Sequence, residues 1–207
     1  MSSGEPIDSD LTTKARIRNA ALELFAAEGV SAVSMRAVAA RAGVAVGLVQ
    51  HHFKTKDGLR SAVEQYIVDR HAAAIASVPG DGAPAEVAAA RDGAVRRMLD
   101  EHPALIGYMR RALLDPSGDG RLLERLTDLS RNQVIELRTA GAASTSRPVA
   151  DQVVGLMVRQ LGHLFLQPMI DAMWAQLDTE KTCKPQLIVR ASANVGAPEG
   201  LRTAEPS

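Results

Sequence analysis

The run Ser34–Leu59, SMRAVAARAGVAVGLVQHHFKTKDGL, constrains this chain more than any other stretch. Ser34 is an N-cap, its hydroxyl placed to accept from an orphan amide of the first helical turn. Met35, Val38, Ala39 and Ala42 then recur at i, i+3, i+4 and i+7, one apolar stripe. Gly43 follows at the position where a helix ends most easily in a left-handed residue. A second helix, about Ala45–Phe53, is too short to stand alone. Val44, Val49 and Phe53 are expected to hold it from behind, leaving Val46, Gly47, Leu48, Gln50 and His51 outward. Two short helices about a tight turn, the second presented on its outer face, make a helix-turn-helix whose second helix suits a DNA major groove.

Charge supports that reading. The whole chain of 207 residues is formally neutral, with 24 Lys and Arg against 24 Asp and Glu. Within residues 12–60, however, eight cations (Lys14, Arg16, Arg18, Arg36, Arg41, Lys54, Lys56 and Arg60) face only Glu23, Glu28 and Asp57. A basic segment on a compensating acidic remainder suits a nucleic-acid-binding head on a body of another purpose. Ala, Leu and Val supply most of the apolar mass and aromatic residues are only 3%. That composition favours an all-α protein over a sheet protein.

The order Ala42-Gly43-Val44-x-x-Gly47-x-Val49-x-x-His52-Phe53-x-x-Lys56-x-x-Leu59 resembles the DNA-binding domain of TetR-family transcriptional regulators. The preceding stretch, Arg16-Ile17-Arg18-Asn19-Ala20-Ala21-Leu22-Glu23-Leu24-Phe25-Ala26-Ala27-Glu28-Gly29, is similar to that family's first helix. The resemblance covers roughly residues 12–60. It implies a homodimeric regulator, a repressor in most of the family, in which a ligand shifts the fourth helix and changes the spacing of the two recognition helices. Ala45 and Gln50 stand where the family usually has Ser or Thr and Tyr, both commonly phosphate contacts.

The candidate DNA-binding residues are Ser34, Arg36, Ala45, Val46, Gly47, Leu48, Gln50, His51, Lys54 and Lys56. Gly47 either permits close approach to DNA or is merely a tolerated small residue. Val46 and Leu48 either meet thymine methyls or pack at the helix start. Gln50 and His51 suit a base edge or a phosphate, and Lys56, at a helix start beside the groove, suits a phosphate. Lys14, Arg36, Arg41 and Lys54 are weaker candidates than Lys56, since many such charges are simply solvated.

Along the chain, residues 1–11 are expected as a disordered arm and 12–58 as the helix-turn-helix domain, its first helix running about Thr13–Glu28. A connecting helix follows over 59–78, capped by Thr55, with Leu59, Val63, Tyr66 and Ile67 as its inner stripe. Ser77–Pro84 is a breaker cluster. Residues 79–196 read as a ligand-binding and dimerisation bundle. Its helices are expected near 85–101, 103–114, 121–139 and 149–177, the last kinked at Pro168, with a weaker one near 185–194. Residues 197–207 are expected as a disordered tail.

The segment from Val153 to Trp174 is apolar on nearly every face, so it needs cover on two sides: the bundle core and, by expectation, a second subunit. Arg159, Gln160, His163 and Asp171 interrupt it, arguing against a membrane span. Arg91-Asp92 and Arg110-Arg111 read most simply as surface charge. With one cysteine, no signal-like N-terminus, no phosphate-cradling loop and no metal or catalytic constellation, the expectation is a cytoplasmic non-enzyme without cofactor or metal.

Polar residues on otherwise apolar stripes are the remaining signal. Gln133, Gln160 and His163, with Tyr108, either satisfy one another or line a cavity with Met98, Met109, Met157 and Trp174. The second alternative gives a mostly apolar small-molecule effector that releases a palindromic operator. A DNA-localised adaptor that binds other proteins is the competing reading.

Overall fold

The computed structural model describes residues 5–115, 119–177 and 187. Among them are eight helices and no strands: α1 (Glu5–Glu28), α2 (Met35–Ala42), α3 (Val46–Phe53), α4 (Lys56–Ala76), α5 (Pro84–Asp100), α6 (Pro103–Leu114), α7 (Arg121–Thr139) and α8 (Val149–Leu177). The boundaries follow local chemistry. Ser34 Oγ accepts from the Ala37 amide at 3.1 Å, and Thr55 Oγ1 accepts from the Gly58 amide at 2.9 Å. Gly43 ends α2 with φ 66°, a left-handed turn that an L side chain resists. Pro84 and Pro103 open α5 and α6, where a missing amide costs no helical bond.

One difference from the sequence reading stands at the N-terminal end. Helix α1 begins at Glu5, so residues expected as a disordered arm continue the first helix. The helix expected near 185–194 and the tail at 197–207 fall outside the described residues, apart from Leu187.

Helices α1–α3 pack around Ile17, Ala21, Phe25, Val38, Val49 and Phe53, all buried. Helix α4 closes this head with Leu59 and Val63 and then continues into the body as one element. The buried cluster does not stop at that boundary. It runs without a break through Ile67, Leu99, Leu105, Tyr108 and Met109 to Leu164. Phe25 of the head lies 6.5 Å, centroid to centroid, from the ring of Tyr108 in the body. Helix α6 also lies close on α1: a Cβ on Gly107 would come within 3.2 Å of the Ala26 methyl.

Polar contacts pin the same junction. Glu64, fully buried, takes a hydrogen bond from the Tyr108 hydroxyl at 2.9 Å and an ion pair from Arg60 at 2.8 Å. Arg60 reaches on to Asp119 at 2.7 Å, and Arg121 ties Asp119 to Asp57. Burial, followed by the Glu64 carboxylate, holds the Tyr108 phenol well above its ordinary pKa, so it remains a donor. Arg111 donates to the carbonyls of Ala26 and Ala27, at 2.8 and 2.7 Å, closing the end of α1.

Helix α8 continues through Pro168, which lies inside it. Proline cannot donate to the carbonyl four residues back, that of Leu164. Arg110 Nε donates to that carbonyl at 2.6 Å, supplying from α6 the bond that the helix itself lacks. Arg110-Arg111 are therefore structural clamps rather than loose surface charge. Asp92 is likewise engaged: its carboxylate receives Arg159 at 2.7 Å and Gln160 at 3.1 Å, joining α5 to α8. By length and composition α8 is apolar enough to cross a membrane. These polar ties from Asp92 and Arg110 dock it instead into the bundle.

Replacing Arg110 by Met, which keeps most of the stem but no donor, is expected to cost about 1–3 kcal/mol through the stranded Leu164 carbonyl. Denaturant unfolding of Arg110→Met and of Arg110→Met combined with Pro168→Ala measures this. The second change restores the helical amide and should recover most of the loss.

Candidate nucleic-acid interface

The head presents α3 as an eight-residue helix anchored by two buried side chains, Val49 and Phe53. Its first turn follows Ala45, which begins the helix with no side-chain cap. Ala45, Gly47, Gln50 and His51 are exposed, while Val46 and Leu48 are half-buried. Val46 packs against the head's core together with Val44. Of the two apolar residues expected to face outward, Val46 thus follows the packing alternative.

Gly47 is the most informative of these positions. A Cβ built there would meet nothing within 4 Å, and its backbone is ordinary helix. Nothing within the protein calls for glycine, and in a helix interior it costs up to ~1 kcal/mol relative to alanine.

The surrounding cations divide into those held by the protein and those turned outward. Arg16 donates to the Ala42 carbonyl at 2.7 Å, fixing the turn between α2 and α3 to α1. Arg41 is paired with Glu23 across α1 and α2, its Nε at 2.9 Å. Lys14 stands 6.0 Å above the centroid of Phe53. Lys56 donates to the Ser31 carbonyl at 2.9 Å, which places its ammonium at the start of α4 beside the α1–α2 loop. An ammonium has three donors, so this bond leaves others for a phosphate. Arg36 and Lys54 are exposed. Lys54 adopts φ 59°, the one left-handed non-glycine among the described residues, and makes the sharp turn from α3 into α4. Ser34 uses its oxygen as a cap and keeps its hydroxyl proton to give.

The residues expected to form an effector site do not all meet. Gln133, Met157 and Gln160 line one small space between α4, α7 and α8, with His71, Ser130 and Leu161. Its volume is about 10 Å³, so this conformation is closed. Tyr108 belongs elsewhere, to an open cleft of about 420 Å³ between α1, α4 and α6 that it shares with Phe25, Arg60 and Arg111. Met98 and Met109 are buried in the core. His163 has both ring nitrogens buried without a hydrogen-bond partner, and burial, aided by Arg96, holds its pKa below the ordinary value. Trp174 lies half-buried near the end of α8. Gln160 satisfies itself on Asp92, not on Gln133 or His163, which the sequence did not suggest. His71 was also missed, although its place four residues after Ile67 on the inner stripe of α4 was a usable signal. Among the described residues no group of three His, Cys, Asp or Glu can hold a metal ion.

A short exposed helix braced by a three-helix head, on a longer helical body, defines a helix-turn-helix DNA-binding protein. Residues 17–63 match the family model of bacterial regulatory proteins, tetR family. The chain is 48% identical over 61 residues to the HTH-type transcriptional regulatory protein RaaS of Mycobacterium tuberculosis, covering 30% of this chain and 28% of that protein. It is 36% identical over 116 residues to the HTH-type transcriptional repressor Rv3405c of the same species, covering 56% and 54%. These matches thus span from about a quarter to about half of the curated relatives. A solved chain from Shewanella sp. PV-4, described as a tetR family transcription regulator, shares the fold with a TM-score of 0.64 at 19% identity, over 79% of this chain and 89% of that one. Residues 17–63 are thus a tetR-family DNA-binding segment, and beyond them the likeness to solved chains of that family is one of fold.

Gly47→Ala is expected to leave the melting temperature unchanged or higher, since the added methyl meets open space. The same change should weaken DNA binding by about tenfold or more, if the methyl displaces the helix from the groove floor. Calorimetry and DNA titration on the same preparation separate the two effects.

Proposed function

We propose that this protein is a ligand-responsive transcriptional repressor that binds a palindromic operator as a homodimer and is released by a mostly apolar small molecule. The observation that carries the DNA-binding part is the outer face of α3. Gly47, Gln50 and His51 are exposed on a helix whose other side is locked into the head's core. Leu48 offers an apolar contact beside them, and Ser34, Arg36, Lys54 and Lys56 flank the face as phosphate partners.

A dimer is supported by what α7 and α8 leave uncovered. Ile135 and Val154 are 46% and 54% exposed, and Leu166, Met169, Met173 and Leu177 follow along the same long helix. Large apolar side chains in that number on two adjacent helices exceed what scattered surface residues require. Two heads related by a two-fold axis read an inverted repeat, with half-sites one turn of DNA or a small multiple apart.

Effector release is supported by the position of α4. The helix starts against the recognition helix and carries His71 into the small space lined by Gln133, Met157 and Gln160. A ligand that opens this space favours one setting of α4 over another, and only such a difference in affinity shifts the equilibrium.

Selection from random DNA is expected to return an inverted repeat with centres ~34–36 Å apart or a small multiple of that. A single asymmetric half-site would contradict the dimeric reading. Val154→Asp combined with Met169→Asp should give a soluble monomer by sedimentation that keeps its helical content and loses the palindrome preference. Lys56→Ala should lower affinity on all sequences and reduce the salt slope by roughly one, whereas Gln50→Ala should relax one base pair.

A further inference from the structure

The space between α4, α7 and α8 has a chemical polarity of its own. His71 is 2% exposed, and its Nδ1 lies 2.9 Å from the Ile67 carbonyl. A carbonyl only accepts, so Nδ1 carries the hydrogen of the neutral ring and Nε2 bears a lone pair. Nε2 is buried and has no hydrogen-bond partner. Burial holds the imidazole below its ordinary pKa, which keeps the ring neutral and the lone pair available. Buried acceptors rarely stay unpaired unless something else fills the role.

The walls decide what that is. Ile75, Leu126, Leu129, Met157 and Leu161 make them apolar, while Ser130, Gln133 and Gln160 add uncharged polar groups. No lining residue carries a formal charge. Asp92, which touches Gln160 from behind, is already committed to Arg159. A carboxylate or ammonium placed here would be buried with no counter-charge, which is costly. The present volume of about 10 Å³ is roughly one water-sized probe. Met157, with its flexible thioether, is the wall best able to swing aside for something larger.

We propose that this space is the closed form of a site for a neutral, largely apolar molecule bearing a hydrogen-bond-donating hydroxyl, whose proton is received by Nε2 of His71. The proposal rests on the ligand-responsive reading above and adds the chemistry of the ligand. Ser130 and Gln133 on α7 are the uncharged groups placed to take the hydroxyl oxygen's lone pairs. The apolar remainder of the molecule displaces Met157 and packs on Leu126, Leu129 and Leu161. Because His71 stands on α4, the hydroxyl's bond acts directly on the helix that leads to the DNA head.

A matched pair of probes tests this on the full chain: 4-propylphenol and 4-propylanisole, which differ only by methylation of the oxygen. Calorimetric titration is expected to show the phenol binding at least about tenfold more tightly. In the ¹⁵N-labelled protein, the Nε2 resonance of His71 should move upfield with the phenol and stay in place with the anisole. His71→Leu should bring the affinity ratio of the two probes to about one. Equal affinities in the wild type, an unchanged ratio in His71→Leu, or an unmoved Nε2 resonance would each overturn the proposal. An Nε2 already at its hydrogen-bonded position in the free protein, and unmoved by either probe, would assign the space to a water molecule. Should His71→Leu not fold, the wild-type resonance decides alone. Binding of both probes with equal affinity defeats the donor requirement but spares the ligand-responsive reading. Binding of neither defeats both.

Discussion

The buried carboxylate of Glu64 is the constraint around which the molecule is arranged. It sits on α4 where the head gives way to the body, with no solvent exposure. A charge in that position is tolerable only if its partners are fixed, and here they come from two sources. Arg60 lies one turn away on the same helix, and the Tyr108 hydroxyl arrives from α6. Removing either leaves a poorly compensated charge in the interior, a loss of about 3–5 kcal/mol for a broken buried pair. The position of α6 on α4, and so of the body on the head, is therefore set by hydrogen-bond geometry as well as by apolar packing.

From that fixed point the remaining contacts follow in both directions. Toward the DNA, Arg111 holds the last carbonyls of α1, and Arg16 of α1 holds the end of α2, which sets the turn into α3. A recognition helix of two turns has little stability of its own. Its orientation is inherited from α1 through this chain of guanidinium-to-carbonyl bonds. Away from the DNA, α4 passes Ile67 and then His71, so the same rod that carries Glu64 also walls the small core cavity. One helix thus touches the head, the junction and the interior of the body.

The helices themselves were legible because their ends are marked locally. Ser34, Gly43, Thr55, Pro84 and Pro103 act within three or four residues of themselves, and a linear reading sees such effects. The head's buried face was legible for the same reason, since its apolar period is regular. What escaped was long-range and charged. Arg110 looked like surface charge because the carbonyl it serves, Leu164, is vacated by a proline 58 positions further along the chain from Arg110. The contact between Glu64 and Tyr108 joins positions 44 apart, which a linear reading does not see. The proposed effector residues dispersed for a related reason: polar residues on apolar stripes mark burial, but burial alone does not say in which of two spaces. Tyr108 belongs to the cleft beside α1, whereas Gln133, Met157 and Gln160 belong with His71.

The unbroken core has a consequence for exchanging parts between relatives. A chimaera made by cutting at the start of α4 would look natural from the sequence, since resemblance to the family fades near residue 60. Yet the cut would sever Phe25 from Tyr108, Ala26 from Gly107, and the α1 carbonyls from Arg111. A transplanted head must therefore bring a first helix whose far end is shaped for this α6, with a small residue where Ala26 stands and an unobstructed pair of terminal carbonyls. Specificity for a DNA sequence and compatibility with this body are written on opposite sides of the same three helices, and a donor has to satisfy both.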